Sequence, residues 1–307
     1  MITIWVPKRL VEIDLYNVAA QSPAALAEMS EKSYRQRVAY AAQKIRDSRA
    51  KIVMLTGPSA SGKTTSAHKV AEALEASGTP AHVISLDNFF KGAQYYPRLP
   101  DGTLDYENPD TLDMPLIRQC LSDLSTTGKT VLPIYDFTTE SRSSETETLD
   151  LKGGVCIVEG IHALNPEVTG YDGRTTRIYV SVRTRITPRS GHPLHPSKIR
   201  LVRRMLRDGT GRGRALSETI AMRERVDRGE QRYIMPFKPR AHGSIDSFYS
   251  AELGVYRPLL RDELERLALP ELSDVVEVMR ELPDVPADLV PQDSLLREFI
   301  GGSTLPY

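Results

Sequence analysis

The residues with the clearest chemistry lie in GPSASGKTT, positions 57–65. Gly57, Gly62, Lys63 and Thr64 fit G-x-x-x-x-G-K-[ST], a phosphate-binding loop that needs a strand before it and a helix after it. Glycines let the chain curl so that successive N–H groups point at phosphate oxygens, and the helix N-terminus adds partial positive charge. Gly57, Ser59, Ala60, Ser61, Gly62, Lys63, Thr64 and Thr65 are therefore the expected ATP-binding set. Lys63 should reach the β- and γ-phosphates, and the Thr64 hydroxyl a Mg²⁺ ion. Motors, switches and kinases all hold phosphates in this way, so the receiver of the phosphate must be read elsewhere.

Four further groups bear on it. Asp87, in SLDNFFKGAQYYPR, stands at the expected carboxyl end of a strand, where open α/β sheets collect ligands. An Asp there can take the proton of an attacking hydroxyl, although a turn or cap Asp is the plainer alternative. Glu159 closes the apolar run VCIVE, and a carboxylate there is costly unless paired or bound to a cation. In KIRLVRRMLRDGTGRGR, Arg200, Arg204 and Arg207 share one helical face. Gly209, Gly211 and Gly213 then suggest a hinge carrying Arg212 and Arg214. Arginines on a mobile segment suit a lid over transferring phosphates; a solvated basic helix is the alternative. Phe89, Phe90, Tyr95 and Tyr96 could flank a flat ring, or belong in part to the core.

These groups need a scaffold. KIVMLTG, AHVISL, TVLPIYDF, GVCIVEG and RIYVSV are strand candidates, and residues 2–6 alternate as a further short strand. Helices are expected over Pro23–Arg49, Thr64–Ala76, the stretch DMPLIRQCLSDL capped by Asp113, Lys198–Asp208, Ser217–Gly229 and about Ser250–Leu269. Alternating strands and helices imply a parallel sheet covered on both faces. The expectation is an α/β P-loop NTPase fold, a three-layer α/β/α sandwich with a parallel central sheet and an Arg-rich lid. Residues 1–49 form an N-terminal extension, 50–269 the P-loop domain with its lid at about 198–216, and 270–307 an extension packed on the core.

Composition narrows the classes. The 307 residues carry 40 basic and 40 acidic side chains, a formal charge of zero that disfavours nucleic acid as a partner. Two cysteines, Cys120 and Cys156, sit in apolar runs and give no disulfide framework, which fits a reducing cytoplasm. The start MITIWVPKRLVEID has no signal-peptide pattern, and no apolar run is long enough for a membrane span. No N/T-K-x-D motif follows the loop, which disfavours a GTPase switch. His192 and His195 in HPLHP have a spacing open to zinc, but their prolines favour a loop. His162 could line the site or sit in the core.

In order along the chain, GPSASGKTT, SLDNFF, DYENPDTLD, PIYDFTTESR, VCIVEGIHAL and RRMLRDGTGRGR resemble the uridine–cytidine kinases of the phosphoribulokinase/uridine kinase group. KIRLVRRMLRD, GEQRYIMPF and SLLREFIGG look closer to a bacterial uridine kinase-like, or nucleoside kinase, branch. The resemblance implies phosphorylation of a nucleoside 5′-hydroxyl, most readily of uridine or cytidine, with ATP or GTP as donor and Mg²⁺. It makes Asp87 the general base and a metal-side residue with Thr64 and Glu159. It gives Glu107 the ribose hydroxyls, puts Tyr135 in the nucleoside pocket, and matches Arg204, Arg207 and Arg212 to the arginines of the substrate and lid region, which with Lys63 would carry the charge of the moving phosphoryl group. Two positions depart from the family: its base-reading His after YDF is Glu140 here, and a Gln beyond the lid is Met222. A sugar or sugar-phosphate kinase, and an ATPase or regulator without an acceptor, stay open as alternatives. The expected partner is a small molecule, and homo-oligomerisation is left open.

Overall fold

The computed structural model describes residues 9–170 and 175–305. The strand expected over residues 2–6 lies outside them. Strands β1 (Arg9–Glu12), β2 (Ile52–Thr56), β3 (Ala81–Ser85), β4 (Lys129–Asp136), β5 (Ser141–Asp150), β6 (Val155–Glu159), β7 (Thr175–Ser181), β8 (Thr184–Thr187) and β9 (Gly243–Asp246) are joined mainly through helices. Among the described residues, five strands form the central sheet in the order β3-β6-β2-β7-β9, parallel throughout.

Both faces of that sheet are covered, as continuous apolar strands require. In β2, Val53 and Leu55 point into a core built with α2 (Pro23–Ser48), α3 (Lys63–Glu75), α6 (Pro196–Arg212), α9 (Glu252–Leu267), α10 (Ser273–Glu281) and α11 (Arg297–Ile300). Ile52 and Met54 point the other way, to a core shared with α4 (Met114–Thr126) and Leu132 of β4. Pro23 opens α2, and Asp113 caps α4 by accepting from Leu116 N–H (3.2 Å), as its sequence position suggested.

Several expectations change. TVLPIYDF forms β4 but does not join the parallel sheet; it pairs antiparallel with β5 in a separate hairpin. Its partner, SRSSETETLD, is mostly polar and exposed, so it carries no apolar alternation to announce a strand. Gly209 and Gly211 lie inside α6, and the turn to left-handed backbone comes at Gly213 (φ 60°). Packing of Val202, Met205 and Leu206 against the core outweighs the weak helix propensity of glycine. The single helix read over 217–229 is two, α7 (Leu216–Ala221) and α8 (Arg223–Tyr233), meeting at Met222. Among the described residues, no helix is long and apolar enough to cross a membrane.

Candidate active site

The phosphate loop joins the end of β2 to α3, with Lys63 and Thr64 in the first helical turn. Its backbone leaves ordinary space twice, at Ala60 (φ 56°) and at Gly62 (φ 78°). A side chain at Gly57 would run into the Val180 carbonyl and Ser61 Oγ, so this position needs glycine for close approach. Ser61 Oγ is buried without a hydrogen-bond partner.

Strand register sets the next residues beside the loop. Leu55 of β2 and Ser85 of β3 both pair with Glu159 of β6, so three strand ends finish in one row. Ser85 Oγ donates to Glu159 Oε1 (2.8 Å), and Thr64 Oγ1 approaches the same oxygen at 3.4 Å. Asp87 N–H donates to Ser85 Oγ (3.3 Å), which ties the candidate base to the same cluster. Glu159 Oε2 is buried and unpartnered. Burial raises the proton affinity of Glu159, Lys63 pulls it down, and Asp87 pushes it up again. A carboxylate with one oxygen anchored, one open, a threonine hydroxyl beside it and a lysine nearby is a donor set that fits Mg²⁺ shared with phosphates.

Glu107 approaches from the loop before α4. Its side chain fills the space in front of Gly229 of α8, where a Cβ would come within 2.5 Å of Glu107 Cβ. Burial pushes the Glu107 carboxyl up to about 7, against Lys63 and Arg204, and its Oε2 has no partner. Arg204 is itself buried, with its Nε unpaired. His162 lies nearby, its ring 6.4 Å from that of Tyr233. Burial takes its pKa down to about 4, so it is neutral at physiological pH.

An aromatic cluster lies within electrostatic reach of Asp87. Phe90 packs on Tyr96 (5.8 Å between centroids) and Tyr135 (5.5 Å), Tyr96 on Tyr106 (5.6 Å), and the Tyr96 and Tyr135 hydroxyls lie 3.3 Å apart. Phe89 instead belongs to the core, and Tyr95 is exposed. Glu140 sits exposed at the β4–β5 turn with φ 49°, and burial together with Tyr135 and Glu140 raises the Tyr96 hydroxyl's pKa.

The arginines divide. Arg200 pairs bidentately with Glu230 (2.8 and 3.1 Å) and donates to the Ser59 carbonyl (3.3 Å). Arg207 and Arg214 both contact Asp208, at 3.1 and 3.4 Å. The side chain of Arg212 lies outside the described residues. Arg203, not anticipated, is wholly buried and donates to Glu252, to Ser247 O and to the Ala60 carbonyl of the phosphate loop. The signal was present: Arg203 shares its helical face with Ile199, Val202 and Leu206, the apolar side of α6.

Two other features drew no chemistry. His195 caps α6, its Nδ1 accepting from Ser197 N–H (3.2 Å), and His192 is exposed. No cluster of three or more His, Cys, Asp or Glu side chains suited to a metal occurs among the described residues. The C-terminal stretch holds a contact that motif reading missed, since Thr65 Oγ1 donates to Glu298 Oε2 (2.5 Å).

The model of the Phosphoribulokinase / Uridine kinase family matches residues 52–253. Uridine-cytidine kinase-like 1 of Mus musculus is 34% identical over 185 residues, which is 59% of this chain and 31% of that protein. The uridine kinase of Lactobacillus helveticus is 31% identical over 170 residues, 55% of this chain and 72% of that one. The chain thus spans about a third of the mouse relative's length and most of the bacterial one's. D-glycerate 3-kinase from Cryptococcus neoformans superposes with TM-score 0.44 at 19% identity, over 66% of this chain and 87% of that one.

Proposed function

The chain belongs to the phosphoribulokinase/uridine kinase family, and we propose that it transfers the γ-phosphoryl group of ATP to the 5′-hydroxyl of a nucleoside, uridine or cytidine first among them. The observation that carries this reading is the row made by Thr64, Glu159, Ser85 and Asp87 at the strand ends. It supports a phosphate holder and a hydroxyl-activating carboxylate side by side, which a plain nucleotide holder does not need.

In this reading the Gly57–Thr65 main chain and Lys63 cradle the triphosphate, and Asp87 takes the proton of the attacking hydroxyl. Thr64 and Glu159 Oε2 would hold Mg²⁺, which supplies neutralising charge to the phosphate oxygens. Glu107, with its open Oε2, accepts from the ribose hydroxyls, and Arg204 balances its charge. Phe90, Tyr96 and Tyr135 offer the base a hydrophobic wall. Arg207 and Arg212 serve the moving phosphoryl group, for which positioning and electrostatics do most of the work. The setting is the cytoplasm, where the buried free thiols Cys120 and Cys156 stay reduced.

ADP release, measured without acceptor and with uridine, cytidine, other nucleosides, sugars and sugar phosphates, tests the proposal. Stimulation by uridine or cytidine supports it. Stimulation by sugars alone would redirect it to a sugar kinase, to which the Glu140 substitution is no obstacle. Release at one rate whatever is added would identify an acceptor-free ATPase.

A further inference from the structure

The family match ends at residue 253, yet the chain returns to the phosphate loop some forty residues later. Leu295 is fully buried, and its Cδ1 lies 2.5 Å from where a Cβ on Gly62 would stand. Glu298 takes the Thr65 hydroxyl at 2.5 Å. Asp293 takes the buried Lys69 ammonium of α3 at 2.6 Å and reaches Arg35 of α2 at 3.4 Å. The same segment is fastened to the arginine helix. Thr210 Oγ1 donates to the Phe299 carbonyl (3.4 Å), and the Arg203 guanidinium lies 5.0 Å over the Phe299 ring.

We propose that residues 293–299 are an intramolecular brace for the phosphate loop, in which Glu298 is the positioning residue that fixes Thr65 and Leu295 the one that backs Gly62. The brace rests on the nucleotide-binding reading of the loop and extends it to a part of the chain the family model does not span. A glycine-containing loop must be ordered before it can cradle phosphates, and the ordering subtracts from affinity. Fixing the Thr65 side chain from behind turns the first turn of α3 into a rigid platform in the free protein, and leaves the inward face of the loop to the ligand. Because Arg203 touches both Ala60 O and Phe299, loop, brace and α6 form one packed unit.

The test uses the full chain with Glu298→Gln, Glu298→Met and Leu295→Ala. Gln keeps an accepting oxygen for Thr65, whereas Met keeps the volume and removes the acceptor. Hydrogen exchange of the peptide covering 57–66 is followed without ligand, and a non-hydrolysable ATP analogue is then titrated. With Met at 298, exchange in that peptide should accelerate and analogue affinity fall by about tenfold, while KM for the acceptor holds within about twofold. Gln at 298 should stay within about threefold of the parent chain. Leu295→Ala should loosen the same peptide, and decides the matter should the Met variant not fold. Unchanged exchange in 57–66, or faster exchange spread evenly over all peptides, would overturn the brace. Failure of the parent chain to bind the analogue would remove the nucleotide reading, while the exchange data still decide the brace.

Discussion

Arg203 and Glu252 face each other with both side chains wholly out of solvent, Nε to Oε2 at 2.7 Å and Nη2 to Oε1 at 3.1 Å. The pair joins α6 to the start of α9, and its guanidinium also holds the Ala60 carbonyl. A buried ion pair gains little over a hydrophobic pair of equal volume, but removing one partner strands the other. Arg203→Met should therefore destabilise the fold by about 3–5 kcal/mol in urea unfolding. Arg203→Met combined with Glu252→Met should recover much of that loss, and equal instability of single and double variants would show that the stranded charge is not the cause.

Asp87→Asn separates binding from turnover. The Asp87 main chain is held through its N–H to Ser85 Oγ, independently of the carboxylate, so the loop geometry should survive. Turnover should fall by roughly 10²–10⁴-fold, the usual size of a general-base contribution. Affinity for the ATP analogue should stay within about threefold, because in the proposed reaction the Asp87 carboxylate acts on the acceptor hydroxyl and gains its importance in the transition state. Near-parental turnover would remove Asp87 from the role of base.

How much of this was legible before folding depends on the range of the interaction. The phosphate loop, β2 and α3 follow from local pattern, because Gly57–Thr65 between an apolar strand and a periodic helix has few other ways to fold. Asp87 and Glu159 were visible as acids closing strands, but their common link, Ser85, depends on the β3–β6 register. Arg203 was hidden by its charge, which draws attention to a solvated face when its neighbours mark the buried one. Glu298 was unreadable, since its partner Thr65 lies 233 residues away in the chain and nothing in SLLREFI marks which of its side chains turns to the phosphate loop. The hairpin strand β5 failed for the opposite reason, as an exposed polar ribbon without period-two burial.

Glu107 makes a pH prediction with a definite sign. Its carboxyl rises from an ordinary 4.5 to about 7 on folding, so the folded state binds the proton more tightly. The resulting stability is present below pH 4.5 and is lost as pH rises through about 7. His162, lowered from 6.5 to about 4, works in the opposite direction, losing stability as pH falls through that window. Glu107→Gln isolates the first effect. Relative to the parent, it should gain on the order of 2–3 kcal/mol between pH 4.5 and pH 8, since each tenfold change in proton affinity is worth about 1.4 kcal/mol. Melting temperatures of both chains at several pH values check this, and parallel curves would show that Glu107 is not desolvated.

Glu159→Gln tests the metal side of the same row. In the parent, Oε1 is held by Ser85 (2.8 Å) and Oε2 is the open oxygen, so a carboxamide can keep the Ser85 contact while losing the charge that attracts a cation. Removing the buried charge also removes a desolvation penalty, because burial alone already raises the proton affinity of Glu159. The variant should therefore melt at or above the parent's temperature. Its turnover should drop by at least about 100-fold, the loss typical of one preorganised electrostatic contact, and need far more Mg²⁺ for half-activation. EDTA should abolish turnover of the parent, with Mg²⁺ restoring it. A variant as active as the parent at low Mg²⁺ would show that this carboxylate does not serve the ion, whatever its place beside Thr64.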